Sequence, residues 1–206
     1  MRKTLVFALL LTLGLSSAAL AGIPDPSRSG CEVVGLNPGA PCHFRFTANP
    51  TILDTCTLKV TLRDAFFSPV GGCSTSATVV NTGGAPFFGM CCPNPKIGVT
   101  SIGGVVNFYW EQIAGYGQVD IEVTSLCTGS IAICTETITY TNAGDLNASV
   151  ETHPTTSTNI IDLGVWAGSI TPYQQYGDYN CDGTVNIIDL GIWTRGLNNG
   201  CGANAC

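Results

Sequence analysis

The chain has few charged side chains and very little histidine. Asp, Glu, Lys and Arg make up only 11% of its 206 residues, and the two histidines are His43 and His153. His43 falls on the polar side of an alternating strand pattern and His153 in a loop rich in Pro and Thr, so neither supports a Ser-His-Asp or Cys-His site. No cysteine pair has zinc-ribbon spacing, which argues against structural zinc.

Positive charge is also scarce. Lys and Arg number 8 against 14 Asp and Glu, giving a formal net charge of −6. Arg2 and Lys3 precede an apolar run at 5–15 that is too short to span a bilayer, and the small residues Ala19 and Ala21 follow it. This pattern predicts a signal peptide over 1–21 and a secreted, extracellular or cell-surface protein. Without Arg2 and Lys3 the charge becomes −8. Such acidity excludes nucleic acid as a partner and gives no electrostatic attraction to anionic membranes.

Export makes disulfides the expected state of the eleven cysteines. Their odd number leaves at least one thiol unpaired or intermolecular. We expect Cys127 and Cys134 to bridge two neighbouring strands, and Cys181 to reach Cys201 or Cys206. The remaining connectivity stays open.

Between residues 42 and 140 apolar and polar side chains alternate in short runs separated by Gly and Pro clusters. Each run therefore has one polar, solvent-facing side and one apolar side, which is typical of antiparallel strands in a β-sandwich. The inward-facing positions are Phe44 and Phe46; Leu58, Val60 and Leu62; Val106, Phe108 and Trp110; Val119, Ile121 and Val123; and Ile138 and Tyr140.

Three segments of this region, 58–65, 69–72 and 99–108, resemble the bacterial immunoglobulin-like domains of invasin and intimin. The resemblance implies a mostly β fold class, with an antiparallel immunoglobulin-like β-sandwich over 22–142. It also implies a structural or adhesive function.

The remainder of the chain contains an internal repeat. The segment from Asn159 to Trp166 returns 27 residues later as Asn186 to Trp193, with one Val/Ile change. The apolar positions of each copy follow one helix face and predict two related helices. These positions are Leu163, Trp166 and Ile170 in the first copy, and Leu190, Trp193 and Leu197 in the second.

The twelve residues from Asp178 to Asp189 match a calcium loop of the EF-hand type. Calcium takes six to eight oxygen ligands, and Gly183 at position 6 allows the sharp turn that the loop needs. A polar turn that merely caps the helix is the competing interpretation. The predicted Ca²⁺ ligands are Asp178, Asn180, Asp182, Thr184 through its carbonyl, Asn186 and Asp189.

The first copy allows two registers. A loop of standard length ending at Asp162 puts Glu151, His153 and Thr155 at ligand positions, which fits calcium poorly. A register with a six-residue insertion instead uses Asp145, Asn147, Asn159 and Asp162. An empty loop kept for packing is an equal alternative.

Two such loop-helix repeats resemble a dockerin, and the residues that carry the resemblance are 178–193 with the matching 159–166. It implies a small α-helical module over 143–206 that folds with calcium and binds a cohesin-like protein or surface scaffold. In that family, loop positions 10 and 11 help to choose the partner. These are Ile160, Ile161, Ile187 and Ile188 here, although we expect at least one of each pair to be core.

Dockerins often accompany glycoside hydrolases, so the alternative function is a carbohydrate-binding or polysaccharide-degrading component. A glycosidase needs two carboxylates across a sugar cleft. Glu111 beside Trp110 is the one acid next to an aromatic ring that is suited to stack on a sugar, whereas Asp120 and Glu122 read as a solvated strand face. We therefore expect a non-catalytic protein.

Overall fold

The computed structural model describes residues 22–34, 44–46, 56–90, 93–110, 113–148 and 158–195. Nine strands and two α-helices are present in these ranges, together with a short 3-10 helix at Gln175–Gly177. The strands are β1 Gly30–Val34, β2 Phe44–Phe46, β3 Cys56–Thr61, β4 Ser74–Val80, β5 Phe87–Met90, β6 Lys96–Val99, β7 Val105–Trp110, β8 Ile113–Ser125 and β9 Ile131–Asn142; the helices are α1 Ile160–Ala167 and α2 Ile187–Arg195.

The strands form two sheets. The smaller sheet has the order β1-β3-β7, and the larger has the order β2-β9-β8-β4-β6 with β5 paired to β8. Every pairing is antiparallel except that of β2 with β9. The expectation of a mostly β protein with antiparallel sheets and two helices is therefore confirmed.

One core lies between the two sheets. Leu58 and Val60 of β3 face it from the smaller sheet, and Val119 and Ile121 of β8 face it from the larger; all four are 0% exposed. Because strand side chains alternate between faces, the inward residues found from the sequence are the buried ones. The predicted runs lie in β2, β3, β7, β8 and β9, with Leu62 just past β3.

The described residues contain two disulfides, one between the sheets and one at the end of the larger sheet. Cys31 of β1 is bonded to Cys134 of β9, with a Cα–Cα distance of 6.2 Å. Cys73 is bonded to Cys127, with a Cα–Cα distance of 5.2 Å. The prediction of a Cys127–Cys134 bridge is therefore wrong. In the β8–β9 register Cys134 lies opposite Val123, while Cys127 lies beyond the end of β8, so the two are not cross-strand neighbours.

Among the described residues Cys56 is an unpaired, buried thiol, and the odd cysteine count predicts at least one such thiol. Burial raises the pKa of this thiol to about 12, so it stays protonated and unreactive. Cys181 is disulfide-bonded. The partners named for it from the sequence, Cys201 and Cys206, lie outside the described residues.

A second, smaller core begins where β9 ends. It contains Ala143, Leu146, Trp166, Tyr179 and Trp193. No helix in the described ranges is long and apolar enough to cross a membrane.

The second core is fastened directly to the larger sheet. The Asn142 side chain donates to the Ile113 carbonyl at 3.1 Å and accepts from the Gly144 and Asp145 N–H groups. The Tyr176 ring stacks on Tyr116 of β8 with centroids 3.8 Å apart. The chain therefore passes from the last strand into the first loop without an extended linker.

Candidate functional site

The loop that starts at Asp178 turns sharply around its first carboxylate. Gly183 has a φ of 87° and Cys181 a φ of 57°, both in the left-handed region. This path directs the N–H groups of Asp182 and Gly183 onto the Asp178 carboxylate, at 3.1 and 2.9 Å. Gly183 therefore takes the conformation that position 6 of a calcium loop requires.

The side chains at loop positions 3, 5, 7 and 9 lie against one another. Asn180 Nδ2 donates to Asp182 Oδ2 at 2.9 Å, and Thr184 Oγ1 donates to Asp182 Oδ1 at 2.6 Å. Asn186 Nδ2 donates to Thr184 Oγ1 at 2.9 Å. The hydrogen bonds from Thr184 and Asn180 lower the pKa of Asp182. The loop thus gathers its oxygens in one place and keeps this exposed carboxyl ionised.

Both end carboxylates of the loop are buried, Asp178 at 1% and Asp189 at 0% exposure. Asp189 accepts from the N–H groups of Tyr179, Asn180 and Asn186 at 2.8 to 3.2 Å, which closes the loop onto the first turn of α2. An ionised carboxylate has about four lone-pair sites, so these three donors leave room for a metal. Asp178 is equally engaged, since Tyr173 adds its hydroxyl at 2.8 Å.

Tyr173 is a residue that the sequence analysis missed. Its pKa is raised to about 12 by burial and by its hydrogen bond to Asp178, so the hydroxyl remains a donor. Tyr173 precedes the loop and belongs to no ligand position, and no sequence signal singles it out.

Asp162 is the point where the two described ends of the first loop meet. Asp162 accepts from the N–H groups of Asn147 at 3.0 Å and Asn159 at 2.8 Å, and also from Leu146. These donors correspond one for one to Asn180, Asn186 and Tyr179 around Asp189. The standard-length alternative used Glu151, His153 and Thr155, all outside the described residues.

The backbone of the first loop supports the same correspondence. Ala148 has a φ of 47° and occupies loop position 4, as Cys181 does in the second loop. Asp145 is 2% exposed and Asp162 is 0% exposed, matching Asp178 and Asp189. Burial raises the pKa of Asp162, although its backbone donors oppose the rise. A nearby cation would lower it again.

The donor set fits calcium better than a transition metal. Within the described ranges no group of three or more His, Cys, Asp or Glu side chains is arranged to hold a metal. This finding includes the carboxylates of Asp178, Asp182 and Asp189, so only the chemistry of the loop's carboxylate, amide, hydroxyl and carbonyl oxygens, which are hard ligands, favours calcium. Calcium would be held by Asp178, Asn180, Asp182, Asn186 and Asp189 with the Thr184 carbonyl.

The four isoleucines at loop positions 10 and 11 are all exposed. The exposed fractions are 75% for Ile160, 60% for Ile161, 76% for Ile187 and 57% for Ile188. The expectation that at least one of each pair is core is wrong. Each pair occupies the first turn of its helix, whereas Trp166 and Trp193 lie further along the helices and are buried in the second core.

The expected helix faces are only partly right. Trp166 and Trp193 are buried, and Leu163 and Leu190 pack partly buried against the same core. Ile170 is 45% exposed because α1 ends at Ala167. Leu197 lies outside the described residues.

The sandwich offers less to a sugar than the sequence suggested. Trp110 is 0% exposed and has no ring face for a ligand. Asp64 accepts from the backbone of its own turn, and Asp120 accepts from Thr137 and Thr82. Glu111, Asp54, His43 and His153 lie outside the described residues.

Comparison with known proteins leaves the family undetermined. No protein-family model matches the chain, and no curated protein is significantly similar to it. The two loops and the exposed isoleucines beside them are the features that bear on function.

Proposed function

We propose that the chain is a secreted, non-catalytic protein that binds calcium through a dockerin-like tail and docks onto a cohesin-like receptor or surface scaffold. The immunoglobulin-like β-sandwich is the part that the tail attaches. The observation that carries the proposal is the duplicated arrangement around Asp162 and Asp189. Each buried carboxylate accepts from three backbone N–H groups at equivalent positions of its own loop, and this closes the loop onto the following helix.

Calcium accounts for the burial of these carboxylates. Burying an ionised carboxylate is costly unless it is hydrogen-bonded and paired with positive charge. Asp178 and Asp189 are buried beside the exposed Asp182, and no Lys or Arg forms an ion pair with any of them within the described part of the chain. A divalent cation supplies the missing positive charge, so metal binding and folding of the tail are coupled.

We extend the proposal to the first loop, because Asp145 and Asp162 are buried in the same way. Two calcium ions per chain are therefore expected in a calorimetric titration, with one of them lost in Asp182→Ala. A single ion in the wild-type chain would restrict the proposal to the second loop.

Docking is assigned to two exposed isoleucine pairs, Ile160 with Ile161 and Ile187 with Ile188. Four large aliphatic side chains at 57% to 76% exposure are costly to leave in water, and burying each contributes about 1.5–3 kcal/mol. Each pair lies at the end of a predicted calcium loop, in the first turn of the helix that follows. Calcium that orders the loop would therefore also fix the position of the pair. Receptor binding is accordingly expected to require calcium.

The test uses a panel of cohesin-like modules and the chain from residue 22 to 206. Calcium-dependent binding is expected for the wild type, and replacing all four isoleucines with serine should weaken it about a hundredfold or more. The matched control is Ile97→Ser with Val99→Ser, two exposed aliphatics on β6 at 59% and 62%. Equal loss in the control, or binding that persists in chelator, would contradict the assignment.

A further inference from the structure

A tight turn at one end of the sandwich displays two phenylalanines in solvent. Phe66 is 87% exposed and Phe67 is 56% exposed, although phenylalanine is among the residues most often buried. The turn connects Leu62 to Val70, both of which are in the core. The two phenylalanines are therefore carried by a turn whose ends are both anchored in the core.

Hydrogen bonds hold this turn in one shape. Asp64 Oδ1 accepts from the N–H groups of Phe66 and Ser68, both at 2.9 Å. The Phe67 N–H donates to the Asp64 carbonyl, and the Asp64 N–H donates to the Ser68 carbonyl, both at 3.0 Å. A surface that is already ordered loses little conformational freedom when it meets a partner.

The turn also retains backbone strain. Phe67 has a φ of 63°, in the left-handed region that a bulky side chain rarely adopts. Arg63 Nη1 donates to the Phe67 carbonyl at 2.8 Å, and the Arg28 guanidinium lies 4.2 Å from the Phe67 ring centroid. Strain of this kind persists where the surroundings fix it, and it concentrates at functional sites.

A neighbouring turn adds a third apolar side chain. Ile102 is 95% exposed. Its turn lies alongside the first, because the Leu62 N–H donates to the Gly104 carbonyl at 2.7 Å and a Cβ on Gly71 would meet Ile102 Cα at 2.9 Å. Phe66, Phe67 and Ile102 together form what we call the apolar tip.

We propose that the apolar tip inserts into the headgroup region of a phospholipid bilayer. Side chains at 87% and 95% exposure project from the molecule, so they suit a deformable surface that closes around them. The Arg28 guanidinium lies over the Phe67 ring and Arg63 donates to the Phe67 carbonyl, so both cations are close enough to meet lipid phosphates when the apolar side chains reach the acyl boundary. Since the chain is acidic overall, the binding energy comes from apolar burial and the bilayer need not be anionic.

The test is flotation of the 22–206 chain with phosphatidylcholine vesicles, with calcium and with chelator. The wild type is expected to float in both, because the apolar tip is independent of the calcium loops. Phe66→Ser with Ile102→Ser should lower the partition coefficient about tenfold or more. The control Ile97→Ser with Val99→Ser should float like the wild type.

A second readout places the side chain in the lipid. In Phe66→Trp, vesicles are expected to shift the added fluorescence to the blue, and bromine on the acyl chains should quench it. Failure of the wild type to float, or equal loss in tip and control variants, would overturn the proposal. So would tip-dependent retention on an insoluble polysaccharide without flotation, which would assign the tip to a glycan.

Discussion

Calcium at about 100 times its Kd is expected to raise the melting temperature of the tail by about 10–20 °C for each occupied loop, and Asp182→Ala to remove the share of the second loop. At that excess a single site stabilises the folded state by about 2.7 kcal/mol, and about 1 kcal/mol shifts a domain of this size by 4–8 °C. Asp182 is exposed and accepts hydrogen bonds from Asn180 and Thr184, so its replacement removes a proposed calcium ligand without opening the core. Tryptophan fluorescence measures the transition, since Trp166 and Trp193 lie in the tail core.

The matched control for this experiment is Asp120→Ala. Asp120 is also a surface carboxylate that accepts from two threonine hydroxyls, but it lies on β8, away from the loops. This variant should keep the full calcium response. A wild-type tail that melts at the same temperature in chelator and in millimolar calcium would remove both the metal and the docking proposal.

Loss of the Cys31–Cys134 disulfide is expected to cost the sandwich about 4 kcal/mol. The bond closes a sequence separation of 103 residues, and a loop of about that length restricts the unfolded chain by about 4–5 kcal/mol. Urea unfolding of Cys31→Ala with Cys134→Ala, followed through the buried Trp110, measures the change. Cys73→Ala with Cys127→Ala should cost nearly as much free energy of unfolding, because this disulfide spans 54 residues and the effect grows only with the logarithm of loop length.

Cys56→Ala separates the disulfide effect from loss of sulfur in general. Cys56 is buried and unbonded, so its replacement leaves only a small cavity and should cost about 1 kcal/mol. Reductant should destabilise the wild type and Cys56→Ala alike. If the Cys31→Ala, Cys134→Ala chain unfolds at the wild-type urea concentration, the inter-sheet bond does not limit stability.

The sequence predicts the long central strands better than the edges. Large aliphatic or aromatic side chains alternate with polar ones in β3, β7, β8 and β9, so the residues that face the core can be identified from the sequence. β4 was missed because its buried positions Thr75, Ala77 and Val79 include a polar and a small residue. The disulfides were mispaired because Cys31 meets Cys134 only when two sheets pack, which strand pattern alone does not encode.

For the two predicted calcium loops, local spacing indicates one register in the second copy and leaves two registers open in the first. The second loop has standard length, and Gly183 adopts the expected turn. In the first, an insertion separates Asn147 from Asn159, so the register emerges only from the N–H groups that converge on Asp162. The prediction that at least one isoleucine of each pair is core was wrong, because only the later positions Leu163 and Trp166, or Leu190 and Trp193, turn toward the second core.

Because β9 leads directly into the first loop, the distance between the tail and the far end of the sandwich is fixed. β8 begins at Ile113, which is bonded to Asn142 beside the tail, and ends at Ser125 near Cys127 and its partner Cys73. A strand of 13 residues is about 40 Å long, and the turns with Phe66 and Ile102 lie at its far end. A receptor that binds the tail would therefore keep those side chains at a fixed distance from itself, because no flexible linker lies between them in the described part of the chain.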